Sequence, residues 1–176
     1  MIDIVKWTIE FYSKYLKEPT KDDLPWVDPT AFSRKGACFV TLYRNGEVRW
    51  SAGNIKEISQ SIGEEIIKNT IHAMTKDTRF TPITQPEIKD IRIRIDEVEG
   101  RNILEEGKII TLDPMHSGVI AIKKDYSKLA VVLPNISAKL MTGSDIVDML
   151  EAKLWEKLIE AEYILYDITT KVDRNY

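Results

Sequence analysis

Residues 36–53 read G-A-C-F-V-T-L-Y-R-N-G-E-V-R-W-S-A-G. Cys38, Phe39, Val40, Thr41, Leu42 and Tyr43 are β-branched, aromatic or apolar, which suits a largely buried strand. Asn45-Gly46 follows, and both residue types accept the positive φ angles of a type I′ turn. The return strand, 47–51, alternates: Val48 and Trp50 take one face, and Glu47, Arg49 and Ser51 the other. Arg49 and Ser51 are therefore expected side by side. Ala52-Gly53 lets the backbone approach a neighbour closely, and Asn54, with Glu57 three residues on, predicts a helix cap directly after the hairpin. Two readings stand at this corner. In one, Arg49, Ser51 and a helix N-terminus hold an anion. In the other, an edge strand runs into an ordinary cap.

Outward from the hairpin, the periodicity names the other elements. Residues 2–17 place Ile2, Val5, Ile9, Tyr12 and Leu16 at helical spacing, broadened by Trp7, Phe11 and Tyr15. Residues 19–29 form a polar connector broken by Pro25 and Pro29, with Trp26 as an anchor. A helix over 55–75 carries Ile58, Ile62, Ile66 and Met74 in one stripe, with His72 near its C-terminal end, where a cation is favoured. Residues 88–98 alternate. Ile91, Ile93 and Ile95 face a core, and Asp90, Arg92, Arg94 and Asp96 share the other side. That side reads as a double-arginine anion surface or as a solvated face with cross-strand ion pairs. Short strands are expected at 107–112, 118–124 and 128–133, a helix capped by Ser144 at 144–160, and a last strand at 162–172. The pattern is that of an α+β fold: a mainly antiparallel sheet with about three helices packed on it.

Composition bounds the class. At 176 residues the chain is one domain, or one domain with two lobes. A net charge of −3 argues against nucleic-acid binding, which leaves a basic footprint. The one cysteine allows no internal disulfide and fits a reducing compartment. The first residues lack the charged-then-apolar pattern of a signal peptide, and no apolar run reaches the length of a membrane span, so a cytoplasmic location is expected.

Chemistry-bearing groups are sparse. His72 and His116 are the only histidines, and neither shows metal-ligand spacing. Asp113 stands three residues before His116 and could orient it as a base. Ser51 is a candidate nucleophile only if the fold brings a base to it. The loop D-T-R-F-T-P, 77–82, can fix itself through an Asp77-to-backbone bond and insert Phe80 into the core.

Several blocks occur together and in order: G-A-C-F-V-T-L at 36–42, the N-G-x-V-R turn at 45–49, D-T-R-F-T-P-I-T-Q-P-E-I at 77–88, H-S-G-V-I at 116–120 and L-A-V-V-L-P-N-I at 129–136. In these the chain resembles the AMMECR family, whose microbial members are called AmmeMemoRadiSam system protein A. The resemblance covers most of the chain from about residue 36 onward. It implies a single two-lobed domain over residues 1–176, with the signature hairpin beside a cleft between the lobes. The signature L-R-G-C-I-G stands here as Val48-Arg49-Trp50-Ser51-Ala52-Gly53, with the arginine and last glycine kept. A cysteine chemistry of the family would fall to Ser51, whose hydroxyl ionises far less than a thiol.

Two functional classes follow. The first is an enzyme acting on a small anionic substrate: Arg49, Trp50, Gly53 and Arg79 bind it, Ser51 attacks or donates a hydrogen bond, and Asp77 or His116 serves as base or orienter. The second is a non-catalytic binding or adaptor module, which the missing cysteine favours. An exposed Trp50 would then be the interface anchor, and a Memo-type or radical SAM protein the partner that the family name implies. Neither class calls for a metal or cofactor.

Overall fold

The computed structural model describes residues 1–24, 28–77 and 79–176. Trp26 and Pro25 of the connector and Thr78 of the D-T-R-F block lie outside the described residues. The hairpin forms where its sequence places it. Strand β1, Cys38–Arg44, pairs antiparallel with β2, Glu47–Gly53, and Asn45 and Gly46 turn the chain at φ 54° and 81°. Around it stand helix α1, Ile2–Tyr15, helix α2, Ile62–Lys76, and strand β3, Arg92–Ile103. Farther on come β4, Gly118–Lys123, β5, Leu129–Val132, helix α3, Gly143–Leu154, and β6, Tyr163–Arg174. The strands form a six-stranded sheet in the order β2-β1-β3-β6-β4-β5. The fold is α+β with a mainly antiparallel sheet.

The chain divides into two compact units, Met1–Val98 with Lys171–Tyr176, and Glu99–Thr170. The first holds a core of Ile4, Val5 and Ile9 from α1, Val40, Leu42 and Trp50 from the hairpin, Ile62, Ile66 and Met74 from α2, and Ile93 and Ile95 from β3. The second holds Val119, Ala121 and Val132 from β4 and β5, Ile146, Leu150 and Leu154 from α3, and Tyr163 and Leu165 from β6.

Several expectations are corrected. The helix expected from 55 begins at Ile62: the Ser61 side chain accepts the Glu64 N–H, and Ile58 stays 70% exposed outside the helical stripe. Asn54 caps no helix. Its side chain donates to Glu65, which is buried, and to Asn69 Oδ1 at 3.3 Å, while Asn69 Nδ2 donates to the Cys38 carbonyl at 3.0 Å. Residues 109–111 form a 3-10 turn, not a strand. Helix α3 is capped by Thr142, which exchanges hydrogen bonds with Asp145, and it ends at Leu154, short of 160. The second face of β3 is solvated only at its start, where Asp90 and Arg92 are exposed. Arg94 and Asp96 are 2% and 0% exposed, and the Arg94 guanidinium donates to the Asp96 carboxylate at 2.8 and 2.7 Å along the strand.

Candidate functional site

The family signature folds as a bulged edge strand. Leu42 faces Trp50 and Tyr43 faces Val48, which leaves Arg49 as the extra residue. The bulge breaks the simple alternation. Arg49 follows Trp50 instead of Ser51. The Trp50 indole N–H donates to the Thr81 carbonyl at 2.8 Å, and Arg49 Nη2 donates to Thr81 Oγ1 at 3.0 Å. The Arg49 guanidinium lies 4.4 Å from the Trp50 ring centroid and 4.8 Å from that of Phe80. Trp50 itself is 0% exposed and packs in the core. The residue expected as an anchor if exposed is therefore an interior one, packed in the first core with the Thr81 carbonyl as acceptor for its ring N–H.

Ser51 turns the other way. Its hydroxyl shares a 3.1 Å hydrogen bond with Thr41 Oγ1, directly opposite on β1. Its backbone N–H donates to Asp77 Oδ2 at 2.9 Å. Asp77, the residue just past α2, thus blocks an outward donor of an edge strand that would otherwise be open to pairing. The same carboxylate accepts Arg79 Nη2 at 2.7 Å, Nε at 2.9 Å and the Arg79 backbone N–H at 3.1 Å. The Asp77 side chain is 4% exposed and that of Arg79 47%. Burial pushes the Asp77 pKa up, but Arg79 and the Ser51 N–H outweigh it and hold the carboxyl below its ordinary 3.8. Phe80 and Ile83 pack against the core, and Arg79 lies 5.3 Å from the Phe80 centroid.

Gly53 sits opposite Phe39, and a Cβ there would strike the Phe39 ring and stand 2.7 Å from the Cys38 carbonyl oxygen. Its role in the hairpin is close approach of backbone to neighbour. Cys38 is fully buried, and burial pushes its thiol up to about 12. His72 is exposed on α2. His116 belongs to the second unit, where its Nδ1 lies 2.7 Å from Asp113 Oδ2. Asp113 also accepts the Met115 N–H at 2.9 Å, so it forms a self-closing turn with His116 as its exposed end.

Of the residues singled out from sequence, Arg49, Trp50, Ser51, Gly53, Asp77 and Arg79 gather in the first unit, and His116 lies in the second. Thr41 and Thr81, which partner Ser51, Trp50 and Arg49, were not singled out. Thr81 lies inside the specific 77–88 block, whereas Thr41 is one more β-branched strand residue. Among the described residues, no group of three or more His, Cys, Asp or Glu side chains is placed to hold a metal ion. No helix among them is long and apolar enough to cross a membrane.

Comparison with known proteins places this architecture. The AMMECR1 family model matches residues 5–165. The chain belongs to the AMMECR1 family. A Thermotoga maritima protein is 33% identical over 123 residues, covering 68% of this chain and 68% of that protein. A Clostridium acetobutylicum protein is 31% identical over 137 residues, which is 75% of this chain and only 28% of that longer protein. A Methanothermobacter thermautotrophicus relative is matched over 53% of its length. The chain therefore spans from about a quarter to about two thirds of the length of these three relatives. The crystal structure of an uncharacterized protein from Pyrococcus horikoshii shares the fold, with a TM-score of 0.81 and 20% identity over 98% of this chain and 88% of that one.

Proposed function

We propose that this AMMECR1 chain is a non-catalytic binding module that works in the cytoplasm alongside an enzyme of Memo or radical SAM type. One observation carries the reading: the residue standing where the family signature has cysteine, Ser51, has its hydroxyl bonded to Thr41 and its N–H to Asp77, not to a general base. A hydroxyl needs such a base to attack anything at neutral pH. Asp77 is an unsuitable one, because Arg79 and Ser51 occupy both of its oxygens and lower its pKa, which makes it a weaker base.

A small anionic ligand is the part of the enzyme alternative that the geometry favours. The Arg49 guanidinium is stacked between Trp50 and Phe80, and Nη2 makes its one hydrogen bond to a described residue. Such a ligand would bind without being turned over. The test compares the wild type and Ser51→Ala for complex formation with the Memo-type and radical SAM proteins of the same cell, and for turnover. The expected result is a complex with one of them, made equally well by both chains. Turnover by this chain alone that Ser51→Ala abolishes would overturn the reading.

A further inference from the structure

Arg49 is held in place by the fold and left without a counter-charge. Its Nη2 donates to Thr81 Oγ1 at 3.0 Å, and its guanidinium carbon lies 4.4 and 4.8 Å from the Trp50 and Phe80 ring centroids. Trp50 belongs to the first core and Phe80 packs against it, so both rings are fixed platforms for the cation. A guanidinium carries five N–H groups, and the Thr81 bond uses one. Among the described residues Arg49 makes no ion pair, unlike Arg44 and Arg79. Thr81, Pro82 and Arg79 beside it are exposed.

The neighbouring carboxylates are already engaged. Both oxygens of Asp77 are taken by Arg79 and the Ser51 N–H. Glu87 accepts Arg44 Nη1 at 2.5 Å on Oε1, and the Thr84 N–H and hydroxyl at 2.9 and 2.7 Å on Oε2. Glu47 stands opposite Arg44, not Arg49, in the register of the hairpin. These bonds tie residues 44–51 to residues 76–87, and the two segments together carry four Lys and Arg against three Asp and Glu. The local surplus is one positive charge, although the whole chain is negative.

The outward edge of a guanidinium presents parallel N–H groups to one planar acceptor, which is the geometry of a carboxylate. A phosphate is served worse here: Arg79 is committed to Asp77, and Asp77 follows the C-terminal end of α2, where the helix dipole is negative. The first unit has a cavity of about 210 Å³, but it is lined by Glu18, Lys21, Glu64 and Lys68, away from Arg49. The acceptor therefore reaches Arg49 across an open surface instead of being enclosed as a small ligand is.

We propose that Arg49 anchors a docking surface for the partner protein, whose Asp or Glu side chain takes the outward edge of the guanidinium. Arginine is enriched at the energetic centres of interfaces, and a cation already held by Thr81, Trp50 and Phe80 loses little freedom on pairing. The anion is thus one that the partner carries itself. This rests on the binding-module reading and gives that module its surface.

Crosslinking of the full chain in the native host tests it. Pro82→p-benzoylphenylalanine places the probe on the exposed residue next to Thr81, and the crosslinked peptide is identified by mass spectrometry. The expected product is one protein adduct whose crosslinked peptide carries Asp or Glu. Its yield falls about tenfold or more with Arg49→Lys, which keeps the charge and loses the fork. Arg49→Glu abolishes the adduct, and changing the partner's acidic residue to Arg restores it, which a role confined to the fold would not allow. No adduct, an adduct with lipid or with the chain itself, an adduct that Arg49→Lys and Arg49→Glu leave unchanged, or a loss that the charge exchange does not restore overturns the proposal. The two readings fail separately. A partner complex that forms without this adduct keeps the binding module and removes this surface. A charge-dependent adduct with a protein that is neither Memo-type nor radical SAM keeps this surface and removes the partner class named above.

Discussion

Asp77→Asn separates a structural carboxylate from a catalytic one. Four donors converge on the two oxygens of Asp77: the Arg79 backbone N–H and Nε on Oδ1, and the Ser51 N–H and Arg79 Nη2 on Oδ2. Asparagine keeps one acceptor and replaces the other by an NH2 group, so two of the four donors meet a donor. The Ser51 N–H lies under a 4% exposed carboxylate, and a hydrogen bond to a buried charged acceptor is worth about 1.5–3 kcal/mol. The Arg79 pair is nearly half exposed on the cation side and adds at most about 1 kcal/mol. The expected loss at pH 7 is therefore roughly 2–4 kcal/mol, or about 4–16 °C in Tm at ~2–4 °C per kcal/mol. The pH dependence carries the stronger test. The native pKa is depressed below 3.8, so the unfolded chain binds the proton more tightly than the folded one. The carboxylate's contribution is fully present above its ordinary value and is lost as pH falls through the depressed one. The gap between wild type and Asp77→Asn should thus close below pH 4. Melting curves by circular dichroism from pH 7 downward measure it. An Asp77→Asn chain as stable as wild type at pH 7, or a gap that stays constant into acid, would refute the structural account of this residue.

Three further outcomes follow from the same hairpin. Trp50→Ala removes a fully buried indole and strips the Thr81 carbonyl of its donor, and it should cost about 3–5 kcal/mol by chemical denaturation; a loss under 1 kcal/mol would mean the ring is not core. Gly53→Ala drives a methyl into the Phe39 ring and should cost about 1–3 kcal/mol in the same assay, whether or not any ligand is present. Cys38, with its thiol pushed up to about 12 and buried, should resist a disulfide reagent at pH 8 and react once per chain after unfolding in guanidinium; fast labelling of the native protein would show the strand opening locally.

Much of the first unit was legible in the chain because its signals are local. Asn45-Gly46 encodes its own turn, the period of two along 91–95 pairs Ile91, Ile93 and Ile95 on one face, and the period of 3.6 along 62–74 selects the buried stripe of α2. Two local signals compete at the start of α2. Asn54 with Glu57 has the form of a capping box, yet Ser61 with Glu64 is the pair that starts the helix, because Asn54 is drawn to Glu65 and Asn69 across the turn of the chain. The strand expected at 107–112 has β-branched residues and no partner strand to pair with among those described; it curls into a 3-10 turn.

The sequence by itself determined the class, the hairpin, the helical stripes and the family to which the resemblance pointed, since each rests on residues within one element or on blocks matched in order. Only the tertiary structure decided what the signature residues do. Whether Trp50 is exposed depends on the first core packing around it and on Thr81 meeting its ring N–H. Whether Arg49 joins Ser51 or Trp50 depends on a one-residue bulge set by pairing with β1. Whether Arg94 and Asp96 meet water depends on what covers their face, since alternation assigns residues to a side of a sheet and leaves open what that side faces. Those are contacts between segments far apart in the chain, and local periodicity carries no information about them.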